Sequence, residues 1–252
     1  MDVKLAVADS LNNRRLTLIL MSTEKCNFRC AYCYEDFAIG KMKKEVVNGI
    51  CNLITERTAM SNLDVLEISW FGGEPLLAMD VIETIMNHAL QACDGNNIKL
   101  LSGITTNAYK LNLGIFEKLI SRRVRHYHIT LDGDEEIHNS TRLRADGQGT
   151  FAQIWENLCM MQSTPHDFDV LLRLHVTESN HTSLLSLAKK IKTQFGSDKR
   201  YHAHFRGLSN YRGDEQLIYP EMIKVNQITR EATLSNRDES HEFPADFLNY
   251  NN

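Results

Sequence analysis

Long apolar runs are missing from this chain. The longest fall far short of the roughly 20 residues that cross a bilayer, and the N-terminus lacks the basic, apolar and small-residue order of a signal peptide. An excess of positive charge is also missing, since the net charge is −4. That balance argues against a nucleic-acid-binding protein that depends on phosphate contacts. These absences predict a cytoplasmic protein without a membrane or nucleic-acid partner.

The sequence has few cysteines, and its C-terminal third has none. Six cysteines occur in 252 residues, and none follows Cys159. Cys51, Cys93 and Cys159 have no regular spacing and fall on predicted helices, so we expect them to be small buried hydrophobic side chains. Free thiols of this kind fit a reducing compartment.

The rest of the composition is ordinary for a globular protein. Hydrophobic residues make up 42% of the chain and charged residues 24%, which is enough for one sizeable core. Length alone does not require a second domain, because α/β barrels of this size are often single units.

The other three cysteines lie close together in the sequence. Cys26, Cys30 and Cys33 follow the apolar run at 16–21, where a predicted strand enters a polar loop. Three thiolates at this spacing suit an iron–sulfur cluster or zinc, whereas a disulfide would leave the third without a partner. A cubane cluster with three protein ligands keeps one iron open to a small molecule, which indicates catalysis. A zinc site completed by a distant histidine or cysteine, and an accidental group of thiols, are the alternatives.

Short apolar runs alternate with longer amphipathic ones, a pattern typical of repeated βα units around a parallel sheet. The pattern predicts strands at 16–21, 65–71, 98–105, 124–131, 169–176 and 200–206. It predicts helices at 43–60, 80–93, 113–121, 150–162, 182–195 and 220–234. Asp80 and Asn112 are the expected N-caps of the second and third helices. Right-handed crossovers would curl such a chain into a partial (β/α)6 TIM-like barrel of parallel strands, open on one side.

We expect three segments along the chain. Residues 1–13 form an N-terminal lead-in, and residues 14–207 form the core domain. Residues 208–252 contain a C-terminal helix and a polar tail, which we interpret as a possible truncated linker to a missing extension.

Polar or glycine-rich residues lie at the ends of three predicted strands: 72–75 at the second, 105–107 at the third and 132–133 at the fourth. The carboxyl ends of parallel strands meet at one edge, where α/β proteins place their chemistry, so we expect these residues to lie together. Alone, the glycine pair reads as a turn that leaves a buried strand. It would also let a backbone approach a ligand closely, and the Glu74 carboxylate suits a bound ammonium group.

The cysteine run, with an aromatic residue before its last cysteine, resembles the CxxxCxxC signature of the radical S-adenosylmethionine (SAM) superfamily. The resemblance implies that Cys26, Cys30 and Cys33 hold a [4Fe-4S] cluster and that SAM chelates the fourth iron. It also implies that Tyr32 lies near the adenine of SAM.

Two further segments carry the same resemblance. Gly72, Gly73 and Glu74 resemble the GGE motif, which receives the amino group of SAM. The stretch at 129–142 resembles the Ser-x-Asp-Gly, then His-Asp-x-x-Arg, stretch of the peptide-modifying branch, which includes anaerobic sulfatase maturases and SPASM-type peptide maturases. By that resemblance Thr130 helps to hold the ribose of SAM, and Arg142 pairs with its carboxylate.

The chain departs from this pattern at some positions. Thr130 replaces serine and keeps a hydroxyl, whereas Asn139 replaces aspartate and puts a supporting hydrogen bond in doubt. Taken alone, His138 reads as an ordinary loop histidine. Arg173 and Asn180 match the branch loosely, and they read equally well as a buried paired charge and a helix cap.

The last predicted strand carries two histidines, His202 and His204, which alternate with other residues and should share one face. We expect contacts with substrate or SAM from this strand; metal binding by the two histidines is the weaker alternative.

The resemblance also implies an activity and partners. The reduced cluster would cleave SAM, and the resulting radical would abstract a hydrogen atom from a peptide or protein, in peptide maturation or sulfatase-type maturation. A reductant such as flavodoxin or ferredoxin would supply the electron, and the protein residues would position the reactants. No catalytic side chain is assigned. The alternatives are a small-molecule substrate and a regulatory module that holds a metal or cluster without turnover.

Overall fold

The structure, a computed structural model, describes residues 13–60 and 62–208. The predicted helix at 220–234 and the polar tail lie outside the described residues, as does nearly all of the lead-in at 1–13. The division into lead-in, core and tail therefore stays a prediction.

Strands and helices alternate through most of the described chain. The strands are β1 Arg15–Thr23, β2 Phe28–Cys30, β3 Val65–Gly72, β4 Lys99–Thr106, β5 Val124–Leu131, β6 Arg142–Arg144, β7 Asp169–Val176 and β8 Tyr201–Gly207. The helices are α1 Lys44–Thr58, α2 Met79–Gly95, α3 Leu113–Ile120, α4 Glu135–Thr141, α5 Phe151–Gln162 and α6 His181–Phe195. A short 3₁₀ helix, Pro75–Ala78, precedes α2.

Six of the strands form one sheet in the order β1-β3-β4-β5-β7-β8, and every neighbouring pair is parallel. The sheet is open, because β1 and β8 form its two edges. This confirms the predicted partial TIM-like barrel. The six predicted strands match this sheet, and the first five predicted helices match α1, α2, α3, α5 and α6, to within about two residues at most ends.

The sequence reading missed a small second sheet. β2 and β6 pair antiparallel, with Cys30 opposite Arg142, and α4 lies just before β6. A strand of three residues is too short to show the period-two alternation on which strand prediction depends.

The two faces of the large sheet differ because side chains alternate along each strand. One face packs against the helices and is apolar: Leu66, Ile68 and Trp70 of β3 are buried there. The other, here called the inner face, is half-open, and Ile19 and Met21 of β1 are 55% and 42% exposed on it. The strand register also places the following residues on this face: Arg15, Thr17, Val65, Glu67, Ser69, Phe71, Lys99, Leu101, Gly103, Thr105, His126, His128, Thr130, Asp169, Leu171, Arg173, His175, His202, His204 and Arg206.

The helix ends test the predicted caps. Asn112 is the N-cap of α3 and accepts a hydrogen bond from the Ile115 amide, as predicted. Asp80 is not a cap, because α2 begins at Met79 and the Asp80 carboxylate pairs with Lys41 at 2.7 Å. Within the described ranges, no helix combines the length and the hydrophobicity needed to span a bilayer.

Candidate functional site

The predicted cysteine site lies in the loop that joins β1 to β2 and continues past β2. Cys26 and Cys33 flank β2, and Cys30 is its last residue. The Cys33 amide donates to the Cys30 carbonyl at 3.1 Å, which closes a tight turn between them. All three thiols are free and partly exposed. The loop therefore brings three sulfur donors to the carboxyl edge of the sheet.

The glycine turn after β3 supports this cysteine loop through backbone contacts. The amides of Gly73 and Glu74 donate to the carbonyls of Thr23 and Lys25 at 3.2 and 2.9 Å. Gly72 has φ +117°, and a Cβ there would lie 2.5 Å from the Thr23 carbonyl oxygen. A Cβ on Gly73 would overlap the Glu24 carbonyl. The two glycines are needed because the backbone before Cys26 lies directly against them.

The Glu74 side chain lies inside the protein and is 0% exposed. Its carboxylate accepts hydrogen bonds from the Leu76 amide at 3.0 Å, the Thr106 hydroxyl at 2.7 Å and the Asn107 amide at 2.7 Å. Burial raises the pKa of this carboxyl, and the three hydrogen bonds oppose that rise. In this structure Glu74 ties the end of β3 to the end of β4; its contact with the SAM amino group stays a prediction.

Asn107 extends this link to the first cysteine. Its side-chain amide donates to Asn27 at 2.9 Å and lies 3.8 Å from the sulfur of Cys26, which also accepts from the Phe28 amide at 3.3 Å. Burial raises the pKa of the Cys26 thiol to about 11 and also raises the pKa of the Cys30 thiol. N–H donors that point at a sulfur stabilise its thiolate, the form that binds metal.

Tyr32 stands at the centre of a second hydrogen-bonded group. Its hydroxyl donates to Asp132 at 2.7 Å and accepts from the Arg142 guanidinium at 2.6 Å. His175 Nδ1 lies 3.2 Å from the Tyr32 oxygen and 3.3 Å from Asp132 Oδ1. Because the Tyr32 proton is directed to Asp132, His175 Nδ1 must carry a proton of its own. The group fixes the cysteine loop to the ends of β5 and β7.

Asp132 stays ionised although it is buried. Burial alone would raise its pKa, but the contact with His175 and the charge of Arg142 hold the pKa below its ordinary value. The Thr141 hydroxyl donates to the same carboxylate at 2.9 Å. Burial also lowers the pKa of His175, which favours its neutral form.

Arg142 is the predicted partner of the SAM carboxylate, and it is only 8% exposed. Its Nη1 is used by Tyr32, whereas its Nε is buried and makes no hydrogen bond among the described residues. A buried guanidinium N–H without an acceptor is costly, so this atom suits an incoming carboxylate.

Thr130, the predicted ribose contact, lies on the inner face of β5 and is partly exposed. Its register neighbour on β7 is Arg173. The structure thus brings Thr130, the next-to-last residue of β5, to the same edge as Asp132 and Tyr32.

His138 and Asn139 both contact the residues at the start of α5. His138 is 0% exposed, its Nε2 lies 3.1 Å from the Thr150 hydroxyl, and burial lowers its pKa to about 3. The Asn139 oxygen accepts from the amides of Thr150 and Phe151 at 2.8 and 3.0 Å, at the start of α5. The asparagine therefore makes supporting hydrogen bonds that the sequence left in doubt.

The sequence reading missed the roles of Asp132, His175 and Asn180. Asn180 occupies the N-cap position of α6, but its amide donates to the carbonyls of Asp132 and His175, both at 2.8 Å. The sequence placed Asp132 at this edge of the sheet but assigned it no partner. A polar residue near the carboxyl end of a strand was the available signal for His175 as well.

The other three cysteines lie on helices, as predicted, but only one of them is fully buried. Cys93 is buried, while Cys51 and Cys159 are partly buried against the core. Within the described residues, no group of three or more His, Cys, Asp or Glu side chains is arranged to hold one metal ion. An iron–sulfur cluster has a different requirement, because each thiolate binds a separate iron. Three free thiols in one loop, with an arginine beside them, fit that donor set.

Fold and site together define the class of protein: an open parallel α/β barrel that carries a cysteine loop after its first strand and a buried arginine at the same edge. The pattern of the Radical SAM superfamily matches residues 20–164, more than half of the sequence. The chain belongs to the radical SAM superfamily, which uses a [4Fe-4S] cluster and SAM.

Two curated relatives show what the chain is similar to. The cysteine-type anaerobic sulfatase-maturating enzyme of Clostridium novyi (strain NT) is 26% identical over 173 residues, 65% of this chain and 45% of that protein. The GTP 3′,8-cyclase of Clostridium botulinum (strain Hall) is 25% identical over 181 residues, 71% of this chain and 54% of that protein. The chain thus spans about half the length of these relatives.

A solved structure with the same fold is native anSMEcpe with bound AdoMet, another name for SAM, and the Cp18Cys peptide. The TM-score is 0.68 at 20% identity, over 88% of this chain and 59% of that one. This likeness supports the open barrel.

Proposed function

We propose that this chain is the SAM-cleaving core of a radical SAM enzyme that acts on a peptide or protein. One observation carries the proposal: the Cys26, Cys30 and Cys33 loop is fixed beside Arg142, whose buried Nε makes no hydrogen bond in the described structure. The sulfur donors and a carboxylate-binding group lie at one edge of the sheet, as a cluster and SAM on its open iron require.

The residues of this chain would share the work of binding. The three cysteines would hold the [4Fe-4S] cluster. Arg142 would bind the carboxylate of SAM, Thr130 would contact its ribose, and Tyr32 would lie near its adenine. Gly72, Gly73 and Glu74 would set the loop beside the SAM amino group. When bound, cluster and SAM supply the reductive cleavage and the hydrogen abstraction; the protein orients them and excludes water.

A peptide substrate is supported by two of the relatives. One is named as a sulfatase-maturating enzyme, and the solved structure of similar fold holds a peptide together with AdoMet. Maturation of a ribosomally made peptide, or of a sulfatase-type residue, is the reaction class we propose. Flavodoxin or ferredoxin is the proposed reductant, and the cytoplasm, where the six free thiols would stay reduced, is the proposed location.

A small-molecule substrate is the second candidate. It is supported by the similarity to GTP 3′,8-cyclase, which covers 71% of this chain. The genes beside this one separate the two candidates: a short open reading frame or a sulfatase gene supports the peptide substrate, and their absence favours the small molecule.

The test is anaerobic reconstitution with iron and sulfide. We expect about four irons per chain, a spectroscopic signal that shifts when SAM is added, and 5′-deoxyadenosine once a reductant is present. The triple substitution of Cys26, Cys30 and Cys33 to alanine should abolish the iron, the shift and the product. Cys51→Ala, which removes a thiol from α1, is the matched control and should keep all three.

Two results would contradict the proposal. Retention of zinc without iron would identify a different metal site. Formation of 5′-deoxyadenosine by the triple variant would remove these cysteines from the ligand role.

A further inference from the structure

Four basic side chains share the carboxyl half of the inner face on β7 and β8. Their strand neighbours show which way they face, because Leu172 and Leu174 of β7 and Tyr201 and Phe205 of β8 are buried against the helices. The alternate positions therefore lie on the inner face. They are Arg173 and His175 on β7, and His204 and Arg206 on β8, here called the basic cluster.

The strand register makes the basic cluster compact. Arg173 is the direct neighbour of His204, and His175 is the direct neighbour of Arg206. Neighbouring strands are about 4.8 Å apart, so the four side chains rise from the corners of one small rectangle. Each pair joins a guanidinium charge to an imidazole ring, and both groups can donate hydrogen bonds to one anion.

The electrostatics of the cluster agree with this placement. Burial lowers the pKa of His204, and the charges of Arg173 and Arg206 lower it further. Arg173 acts in the same direction on His128 and His175. These groups therefore lie within electrostatic reach of one another, and the two arginines, Arg173 and Arg206, carry the positive charge of the cluster.

Two carboxylates on the inner face pair with residues outside the basic cluster, whereas Asp132, at the end of β5, contacts one cluster member, His175, at 3.3 Å. Glu67 binds Arg15 at 2.7 Å, and Asp169 pairs with His126. Asp132 accepts from Tyr32 and Thr141, as described above. Among the described residues, no carboxylate forms an ion pair with His204 or Arg206.

We propose that the basic cluster is a subsite for an anionic group of the substrate, either a carboxylate or a phosphate. The inference rests on the proposed function and names the chemical class of its substrate. His175 connects the subsite to the Tyr32 group, so an anion held by Arg206 and His204 lies next to the SAM-binding edge. Across the same face, β1 presents Ile19 and Met21, which suit an apolar part of the same substrate.

The test uses the reconstituted protein of all 252 residues with saturating SAM, so that Arg142 is occupied. Fluorescence anisotropy measures the binding of a fluorescein-labelled short peptide with two glutamates and of its two-glutamine counterpart. We expect the acidic probe to bind more tightly. Arg206→Gln and His204→Gln should each weaken it by about fivefold to tenfold, because each removes a charge-assisted contact, and leave the glutamine probe unchanged.

Two further variants keep the result interpretable. Lys189→Gln removes one positive charge from the exposed surface of α6 and should change neither probe. Arg206→Lys keeps the charge and should stay within about threefold of the unsubstituted affinity. Thermal unfolding of each variant checks that it is folded. Inorganic pyrophosphate and glutarate are each used to displace the acidic probe. The one that displaces it at the lower concentration shows whether the subsite prefers phosphate or carboxylate.

Equal affinity of the unsubstituted protein for the two probes would overturn the inference, and so would unchanged binding by folded Arg206→Gln. Equal losses in Arg206→Lys and Arg206→Gln would exclude charge as the cause and overturn it too. Formation of 5′-deoxyadenosine by the unsubstituted protein is measured separately. Its absence counts against the proposed function alone, whereas its presence without a preference for the acidic probe counts against the subsite alone.

Discussion

Tyr32 joins three parts of the chain through one hydroxyl group. It donates to Asp132, accepts from Arg142 and lies 3.2 Å from His175, a residue 143 positions away in the sequence. Each of these partners is largely buried, so the loss of the hydroxyl would leave both a carboxylate and a guanidinium short of a hydrogen bond. Tyr32 therefore holds the orientation of Arg142 in addition to its predicted place near the adenine.

Tyr32→Phe tests this role. We expect the free energy of unfolding to fall by about 2 kcal/mol, since buried charged partners lose a hydrogen bond. We also expect SAM to bind about fivefold more weakly, because Arg142 loses its orienting acceptor. Chemical denaturation and equilibrium binding of SAM measure the two effects.

Tyr127→Phe is the matched control for that variant. Its hydroxyl donates to the Val124 carbonyl, away from the site. It should lose about 1 kcal/mol of stability and no SAM affinity. Unchanged stability and SAM binding in Tyr32→Phe would show that the hydroxyl does not position Arg142.

His138 makes stability depend on pH. Its pKa is lowered from 6.5 to about 3, chiefly by burial and further by the Arg142 charge. Between these pH values the unfolded chain binds a proton that the folded chain does not, so the free energy of unfolding falls as the pH drops below about 6.5. Above that pH the histidine is neutral in both states, and the penalty is absent.

We therefore predict a specific difference between two proteins. On going from pH 7.5 to 5.5, the cluster-free protein should lose about 1 kcal/mol more stability than His138→Gln. Denaturant unfolding at both pH values measures this, and His88→Gln, at a partly exposed position of α2, is the control. The same pH dependence in His138→Gln and the unsubstituted protein would assign the effect to other groups.

At the scale of elements, the turn after β3 and the loop after β1 act as one unit. The Gly73 and Glu74 amides bind the carbonyls of Thr23 and Lys25, and the Glu74 carboxylate binds the end of β4. The sequence indicated the glycines and their edge of the sheet. It did not indicate that the glycines lie against the cysteine loop, because this contact depends on the pairing of two parallel strands, β1 and β3.

Gly73→Ala tests this contact. The new Cβ would overlap the Glu24 carbonyl and approach the Lys25 carbonyl to 2.7 Å, both of them backbone atoms that cannot rotate away. We expect a loss of at least about 2 kcal/mol in stability, together with lower iron content after reconstitution. Gly95→Ala, at the end of α2 with open space around it, should change stability by less than about 1 kcal/mol. Normal iron content and stability in Gly73→Ala would mean that the loop can shift at little cost.

At the scale of the whole molecule, the described residues contain a six-stranded sheet together with the cysteine loop and the Tyr32 group of the candidate site. Tyr201 and Phe205 of β8 are buried against the helices, so the sheet edge is packed before residue 208. The predicted core at 14–207 stays a prediction, and a shortened protein tests it. We expect a protein of residues 13–208 to unfold in one cooperative transition and to form 5′-deoxyadenosine after reconstitution.

Calorimetry and the product assay check this prediction, with the full chain as control. A non-cooperative transition, or a loss of product at normal iron content, would show that residues outside this range complete the core or the site. The first result would concern folding, and the second would concern the site alone.

Local pattern determined much of this protein. The alternation of apolar runs predicted six parallel strands, and the spacing of Cys26, Cys30 and Cys33 predicted their common loop, because both depend on residues that are close in sequence. Only the tertiary structure decided that Glu74 is buried, that His175 contacts Tyr32, and that Arg206 lies beside His175. Those contacts join residues that are far apart in sequence, and their geometry follows from strand order and register, which no local pattern contains.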